Sequence, residues 1–261
     1  MFVPCNNLRP TKLLPGVPTP LAKVQSGDID MVIVRENTEG LYCQNGGFLY
    51  KNTPHEVANQ IEVTTRHGVE RAIRYAFEYA KQFNRKKVTL VAKTNVLRFA
   101  HNLWLRAFED VKKEYASIET DYHHVDACTM YMVTKPRIYD VIVTTNMFGD
   151  IITDLGAALV GGLGLAPGLC AGASQAMSQA THGSAPDIAG KGIANPYALI
   201  MSGKMLLDWL GRKHNEPKAA QAAQRIDAAM ERVIAEAKSL TPDLGGKAST
   251  AQMGDAVAAA L

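Results

Sequence analysis

Two aspartates, Asp150 and Asp154, stand four residues apart in the stretch TTNMFGDIITDLG at positions 144–156. Side chains four residues apart share one face of a helix, so both carboxylates can point at one object. One interpretation is that acidic residues near the start of a helix favour its positive dipole end. The other is a hard divalent cation, Mg²⁺ or Mn²⁺, which takes oxygen ligands. The spacing alone leaves both open.

Two further side chains could move protons. Lys93 ends the apolar run VTLVA, where it either extends to solvent or, if partly buried, has a lowered pKa and becomes a candidate base. Tyr42 follows RENTEG, where it is either a packing aromatic residue or a phenol that donates a proton. Each residue taken alone is ambiguous.

The stretch THGSAPDIAGKGIANP at 181–196 is dense in glycine, proline and small residues. Its backbone can therefore lie close to a ligand, and Asp187 is a candidate for hydrogen bonds to a ribose diol. The stretch does not contain the Gly-x-Gly-x-x-Gly dinucleotide motif, so motif rules leave it as an unassigned functional loop.

The elements that must position these residues alternate between strand and helix. Apolar, β-branched runs predict strands at 30–36, 87–93 and 139–145, and amphipathic patterns predict helices at 59–83 and 97–113, with further helices at 196–211, 216–238 and the C-terminus. This alternation predicts an α/β sheet with many parallel neighbours. RENTEGLY, KTNVLR and TTNMFGD follow the three strands at their carboxyl ends, where parallel sheets bind ligands.

Composition limits the function classes. The 261 residues have a net charge of +3 with dispersed basic residues, which argues against a nucleic-acid partner. Residues 155–173 are uncharged, but six glycines and a proline favour a buried helix followed by a glycine-rich loop over a membrane span. The four cysteines form no close pair and the N-terminus lacks a signal-peptide pattern, so we expect reduced thiols in a cytoplasmic protein.

Five motifs together resemble the isocitrate/isopropylmalate dehydrogenase family of β-decarboxylating dehydrogenases: VIVRENTEGLY, VTLVAKTNVLR, NMFGDIITDL, HGSAPDIAGKGIANP and SLTPDLGG. They follow the family's order and cover the chain from about residue 8 onward. The resemblance implies one α/β domain over 1–261, a mostly parallel sheet flanked by helices. It also implies that the usual N-terminal segment, with its GDGIG-like turn, is missing, as in a fragment, a truncated gene product or a subunit completed by another chain.

The implied reaction is NAD(P)-dependent oxidation of a (2R)-malate-type 2-hydroxy acid at C2, followed by loss of the β-carboxylate as carbon dioxide. Asp150 and Asp154 then look like ligands of Mg²⁺ or Mn²⁺, joined by Asp126 of HHVDACTM from the neighbouring subunit of a homodimer with shared active sites. The cation would stabilise the enolate left by decarboxylation.

The resemblance also assigns roles to the other polar residues. Lys93 matches the family's lysine base, contributed across the dimer, and Tyr42 matches the tyrosine that helps to protonate the enol. Arg9 and Arg35 match arginines that hold substrate carboxylates, and Asn95 matches a residue near the substrate and nicotinamide.

The loop from His182 onward looks like the family's adenosine-binding loop. The acidic Asp187, followed by Ile188, would repel a 2′-phosphate and bind a free ribose hydroxyl, so NAD is the expected cofactor. The cofactor-binding residues implied by the resemblance are His182, Gly183, Ser184, Ala185, Asp187, Ile188 and Asn195.

The sequence departs from the family pattern between Gly164 and His182, where LCAGASQ and a Ser-Gln pair stand in place of an Asn-Ile-Gly turn and a Phe-Glu pair. The segments LRPTKLLPGVPTPLA and GGFLYKNT look closest to the tartrate and D-malate branch, with isopropylmalate and isocitrate left open. The alternative to an active enzyme is a truncated, inactive or regulatory subunit.

Overall fold

A computed structural model of the protein describes residues 6–261, so Cys5 lies outside the described residues. The strands are β1 (Asn6–Lys12), β2 (Asp30–Glu36), β3 (Gly46–Leu49), β4 (Val57–Gln60), β5 (Lys87–Ala92), β6 (Glu119–His124), β7 (Val141–Thr144), β8 (Leu169–Ala171) and β9 (Ala176–Ser178). The helices are α1 (Arg66–Gln82), α2 (Ala100–Val111), α3 (Val125–Thr134), α4 (Asn146–Leu159), α5 (Tyr197–Lys213), α6 (Pro217–Glu236) and α7 (Thr250–Ala260).

Seven of these strands form one sheet in the order β6-β5-β7-β2-β1-β8-β9. The first four are parallel neighbours, and β1, β8 and β9 continue the sheet with antiparallel pairings. The α/β prediction is therefore confirmed, and the sheet is mixed. The three predicted strands appear as β2, β5 and β7, all almost fully buried.

Alternate residues of the central strands enter two cores, one on each face of the sheet. Met31 and Ile33 of β2 pack into a core that includes side chains of α3, α4, α6 and α7. Val32 and Val34 of the same strand pack into a core with side chains of α1 and α2. Burial on both faces explains why β2 reads as a continuous apolar run without polar alternation.

Helix α1 begins later than the amphipathic pattern predicted. The pattern suggested a helix from residue 59, but residues 57–60 form β4, and the helix starts at Arg66. Thr65 is the N-cap: its Oγ1 accepts a hydrogen bond from the Gly68 backbone N–H at 3.0 Å. The Thr65 N–H in turn binds the Glu39 carboxylate at 2.8 Å, so a residue distant in sequence sets the helix start.

Strands β3 and β4 form a separate antiparallel hairpin, and every residue of both strands is exposed. Phe48, Leu49 and Val57 are large apolar side chains on this hairpin that lie open to solvent. The sequence analysis did not predict the hairpin, because its residues make no buried run. Exposed apolar clusters of this kind mark sites of association.

The uncharged stretch 155–173 divides as predicted into a buried helix end and a glycine-rich turn, followed by β8. Among the described residues, no helix is both long and apolar enough to cross a membrane. Cys43 and Cys128 carry free thiols.

Candidate active site

The first group of predicted site residues meets around the Asp150 carboxylate. Residues Asn7 and Arg35 pair across β1 and β2, as do Arg9 and Ile33, so Arg9 and Arg35 lie diagonally on one face of the sheet. The β7 strand leads into α4 next to β2, and Asp150 lies in its second turn. The sheet register and the β7–α4 connection therefore bring both guanidinium groups to one carboxylate.

Both arginines bind that carboxylate. Arg35 Nη1 donates a very short hydrogen bond to Asp150 Oδ1, and Arg9 Nη1 lies 3.3 Å from the same oxygen. Tyr42 completes the group, because its hydroxyl donates to Asp150 Oδ2 at 3.1 Å. The two guanidinium side chains are about nine-tenths buried, whereas the Asp150 side chain is 40% exposed. The group is thus open to solvent on its carboxylate side.

The electrostatics follow from this geometry. Burial lowers the pKa of Arg9, as does the nearby positive charge of Arg35, while Asp150 and Asp154 act in the opposite direction. Burial raises the pKa of Tyr42, and so does its hydrogen bond to the Asp150 carboxylate, which favours the protonated phenol. Tyr42 therefore carries a proton next to a carboxylate and two cations.

Three neighbours that the sequence analysis did not single out hold this group in position. Arg9 Nη1 donates to Thr153 Oγ1 at 2.6 Å, and Arg9 Nε donates to Asn7 Oδ1 at 3.1 Å. Asn146 Oδ1 accepts from Arg35 Nε at 2.9 Å, and Asn146 Nδ2 donates to the Glu39 carbonyl at 2.8 Å. Asn146 and Thr153 lie in the stretch 144–156, close to Asp150 in sequence. This proximity is the only feature of the sequence that points to them.

Gly149 of α4 leaves room for the side chain of Arg35 to pack against the helix. A Cβ at position 149 would lie 2.6 Å from Cγ and 2.7 Å from Cβ of Arg35, closer than carbon atoms approach each other. The glycine in TTNMFGD is therefore a packing requirement of the arginine on the neighbouring strand.

The second group consists of Lys93 and Asp126, beyond the ends of the parallel strands β5 and β6. Lys93 Nζ lies 2.6 Å from Asp126 Oδ1, and the hydrogen bond from Lys93 lowers the pKa of Asp126. Strand β7 separates β5 from β2, so the end of β5 that leads to Lys93 lies about 10 Å, or two strand spacings, from the end of β2 that carries Arg35. Asn95 is exposed on the turn that follows Lys93.

Asp154 is exposed one helical turn beyond Asp150. Among residues 6–261, no three histidine, cysteine, aspartate or glutamate side chains lie close enough together to hold a metal ion. Asp126 therefore does not join Asp150 and Asp154 within one chain. The donor set of a single chain is two accessible carboxylates, whose oxygen atoms fit a hard divalent cation that takes its other ligands from elsewhere.

The third group is the loop predicted to bind adenosine. The residues from His182 to Asp187 are exposed, and Ile188 and Asn195 are half-buried. A Cβ added at Gly183, Gly190 or Gly192 would meet no atom within 4 Å, so the backbone faces open space. Asn195 Nδ2 donates to Asp243 Oδ2 at 2.9 Å, and the Thr250 N–H donates to the Gly192 carbonyl at 2.8 Å, which anchors the far end of the loop. The loop is thus anchored at one end and leaves its backbone accessible to a ligand.

A cavity of 480 Å³ lies away from all three groups. Its lining includes Leu8 and Pro10 of β1, which point to the opposite face of the sheet from Arg9, together with side chains of α1, α5 and α6. None of the predicted site residues lines it. The three groups of candidate site residues therefore lie outside this cavity.

Known proteins resemble the chain over nearly all of its length. The isocitrate/isopropylmalate dehydrogenase family matches residues 4–257. A 3-isopropylmalate dehydrogenase of Corynebacterium diphtheriae is 51% identical over 98% of this chain and 71% of its own length. One of Thermobifida fusca is 52% identical over 97% of this chain and 69% of its own length.

Among solved structures, isocitrate dehydrogenase from Methylococcus capsulatus is similar with a TM-score of 0.89 and 46% identity, over 98% of this chain and 72% of that one. These similarities show the family and give no specific support to the tartrate and D-malate branch. The chain belongs to the isocitrate/isopropylmalate dehydrogenase family, whose members are decarboxylating dehydrogenases that act on a CH–OH group.

Proposed function

We propose that this chain catalyses the oxidative decarboxylation of 3-isopropylmalate, a 2-hydroxy acid, with NAD and Mg²⁺ or Mn²⁺. The observation that carries the proposal is the convergence of Arg9, Arg35 and Tyr42 on Asp150. The choice of substrate is supported by the names of the curated relatives at about half identity.

The charges around Asp150 suit a dicarboxylate. Arg9 and Arg35 contribute two positive charges, and Asp150 and Asp154 contribute two negative ones. A divalent cation held by the two carboxylates would leave these groups with two positive charges. The ionised Lys93–Asp126 pair of a second chain would add no net charge, so the total matches the two carboxylates of a malate-type acid. The planar guanidinium groups are suited to bind those carboxylates with paired hydrogen bonds.

Asp150 and Asp154 would hold the metal, with Asp126 of a second chain as the third ligand. When bound, the cation supplies positive charge beside the oxygen on which negative charge develops. With the Asp150 oxygens engaged by a cation, Arg9 and Arg35 would be available to bind the carboxylates of the substrate. In the structure the two buried guanidinium groups instead share the accessible Asp150 carboxylate.

Lys93 and Tyr42 would move the protons. The C2 hydride would pass to NAD⁺. Lys93, after its ammonium group has released a proton to solvent, would accept the hydroxyl proton, so that the C2–O bond becomes a carbonyl. The bond to the β-carboxylate then breaks, carbon dioxide leaves, and the electron pair forms an enolate. Tyr42 would help to deliver a proton to the resulting enol, a role supported by the position of its hydroxyl group, 3.1 Å from Asp150 Oδ2. Asn95 would contact the substrate and nicotinamide from the turn after Lys93.

NAD would bind along the open loop from His182 to Asn195. Asp187 supports NAD over NADP, because its exposed carboxylate can accept hydrogen bonds from a ribose diol and repels a phosphate. Gly183, Ser184, Ala185 and Ile188 would line the adenosine with backbone and small side chains.

The active unit would be a homodimer with shared sites. Within one chain Lys93 binds Asp126 and neither belongs to the group around Asp150, so a complete site needs a second copy. Exposed apolar side chains support such a contact, among them Met130 and Val133 on α3 and Ile151 on α4. Both helices carry proposed metal ligands.

The test of activity is NADH formation by the purified chain with Mn²⁺, on 3-isopropylmalate, D-malate, tartrate and isocitrate, with and without a chelator. We expect metal-dependent turnover that is fastest on 3-isopropylmalate. Asp150→Asn should lower kcat by at least about 100-fold, whereas Asp208→Asn, which changes a surface pair with Arg212, should not. Absence of turnover on all four acids by the folded chain would refute the proposal and favour an inactive subunit.

The test of shared sites mixes two inactive variants. Lys93→Ala and Asp150→Asn chains are each expected to be inactive alone. After random reassembly, half of the dimers are mixed, and each mixed dimer has one whole site, so about a quarter of wild-type activity should return if the sites are shared across a two-fold axis. No recovery from a mixture shown to exchange subunits would place each site within one chain.

A further inference from the structure

His101 is a buried polar side chain that none of the proposed roles uses. It is the second residue of α2 and is 1% exposed. In the sequence, the only indication of its burial is that residue 101 falls on the apolar face of the predicted helix 97–113. A buried imidazole with defined partners is costly unless those partners are satisfied, so its contacts decide what it does.

Both ring nitrogens of His101 have partners. The Lys93 backbone N–H donates to Nδ1 at 2.8 Å, and Nε2 lies 3.3 Å from the Glu62 carboxylate. The ring also packs on Phe148, with 5.2 Å between the centroids. The residue thus connects the end of β5, the segment before α1 and the first turn of α4.

These contacts define the tautomer. Nδ1 accepts a hydrogen bond, so it carries no proton, and the ring proton is on Nε2, where it faces the Glu62 carboxylate. Glu62 therefore holds the ring in the form that can accept from Lys93. In histidine, the hydrogen bond made by one ring nitrogen commonly determines whether the other nitrogen carries the proton.

Lys93 needs this acceptor because β5 ends at Ala92. Beyond that residue no strand partner remains for the backbone, and the Lys93 carbonyl already accepts from the Leu97 N–H at 2.9 Å. The His101 ring binds the N–H on the other side of the same residue. The backbone of Lys93 is thereby fixed on both sides, with its ammonium group directed at Asp126.

We propose that His101 is a positioning residue for Lys93, which sets the direction of the ammonium group through the backbone N–H. The effect of His101 on kcat rests on the proposed function, whereas its effect on the position of Lys93 does not. Proton transfer depends steeply on geometry, and a displacement of about 1 Å costs about 100-fold in rate. His101 itself does not touch substrate or cofactor.

The test separates the two nitrogens. His101→Asn keeps an acceptor near the Nδ1 position, whereas His101→Gln keeps a donor near the Nε2 position and leaves the Lys93 N–H without its acceptor. Each variant loses one hydrogen bond, so both should lower the thermal unfolding midpoint similarly. We expect His101→Gln to lower kcat by about 10- to 100-fold with KM within about twofold, and His101→Asn to stay within about threefold of wild type.

A second readout does not need turnover. The rate of acetylation of the Lys93 amine, followed by peptide mass spectrometry and compared with that of the exposed Lys238, reports the environment of the ammonium group. His101→Gln should change this ratio severalfold, and His101→Asn should not. Equal effects of the two variants on kcat and acetylation, or no effect of either, would overturn the proposal. An inactive wild type with the expected acetylation pattern would refute the function and leave the positioning role standing.

Discussion

Asn146→Ala tests how the site is held together. Asn146 is 5% exposed and joins two parts of the site, since it accepts from Arg35 Nε and donates to the Glu39 carbonyl. A hydrogen bond from a charged donor contributes about 1.5–3 kcal/mol and a neutral one about 1 kcal/mol, so the variant should lower the free energy of unfolding by about 2.5–4 kcal/mol. The loss is large because the remaining partners stay buried.

The matched control is Asn102→Ala. Asn102 also accepts from an arginine Nε at 2.9 Å, that of Arg106, but on the exposed surface of α2. The change should alter stability by no more than about 0.5 kcal/mol. Urea unfolding at one protein concentration, followed by circular dichroism, measures both. If Asn146→Ala costs no more than Asn102→Ala, the buried link does not hold Arg35 as argued.

Three further predictions concern single contacts. Tyr42→Phe should lower kcat by about 100-fold or more with little change in KM, because it removes the proton donor and keeps the ring; a KM effect alone would indicate packing. Gly149→Ala should destabilise by about 1–3 kcal/mol because its Cβ meets Arg35, whereas Gly254→Ala, with open space around it, should stabilise slightly in the same unfolding assay. The pKa of Asp126 is lowered, so its pair with Lys93 contributes its full stabilisation of the folded state above the unfolded pKa of about 3.9. That stabilisation is lost as the pH falls through the folded pKa. In the Lys93→Ala variant, an NMR titration should find a higher pKa for Asp126.

The sequence predicted the strands and helices that have an uninterrupted apolar run or an apolar stripe. Strands β2, β5 and β7 are apolar on both faces, and the helices that cover them keep one apolar stripe, so periodicity was enough. β1 was not predicted, because Arg9, Pro10 and Lys12 break its apolar pattern. The start of α1 depended on Glu39 and Thr65, which meet only in the fold.

Sequence reasoning also singled out several of the residues that the structure brings together around Asp150. Arg9, Arg35, Tyr42 and Asp150 come together because all four lie on or follow the adjacent strands β1, β2 and β7. The residues that hold them, such as Asn146, act through contacts between elements far apart in sequence. No local spacing encodes those contacts, so they appear only once the sheet order is known.

The exposed β3–β4 hairpin also has a consequence for proteolysis. Its connecting turn carries Lys51, which is exposed. At the base, Gln60 Nε2 donates to the Leu41 carbonyl at 2.6 Å, beside the turn that carries Tyr42. Trypsin should therefore cut an isolated chain first at Lys51 and leave the globular body whole, whereas a second copy seated on the hairpin would slow that cut. The dependence of the cleavage rate on protein concentration would report the fraction of chains whose hairpin is covered by a second copy.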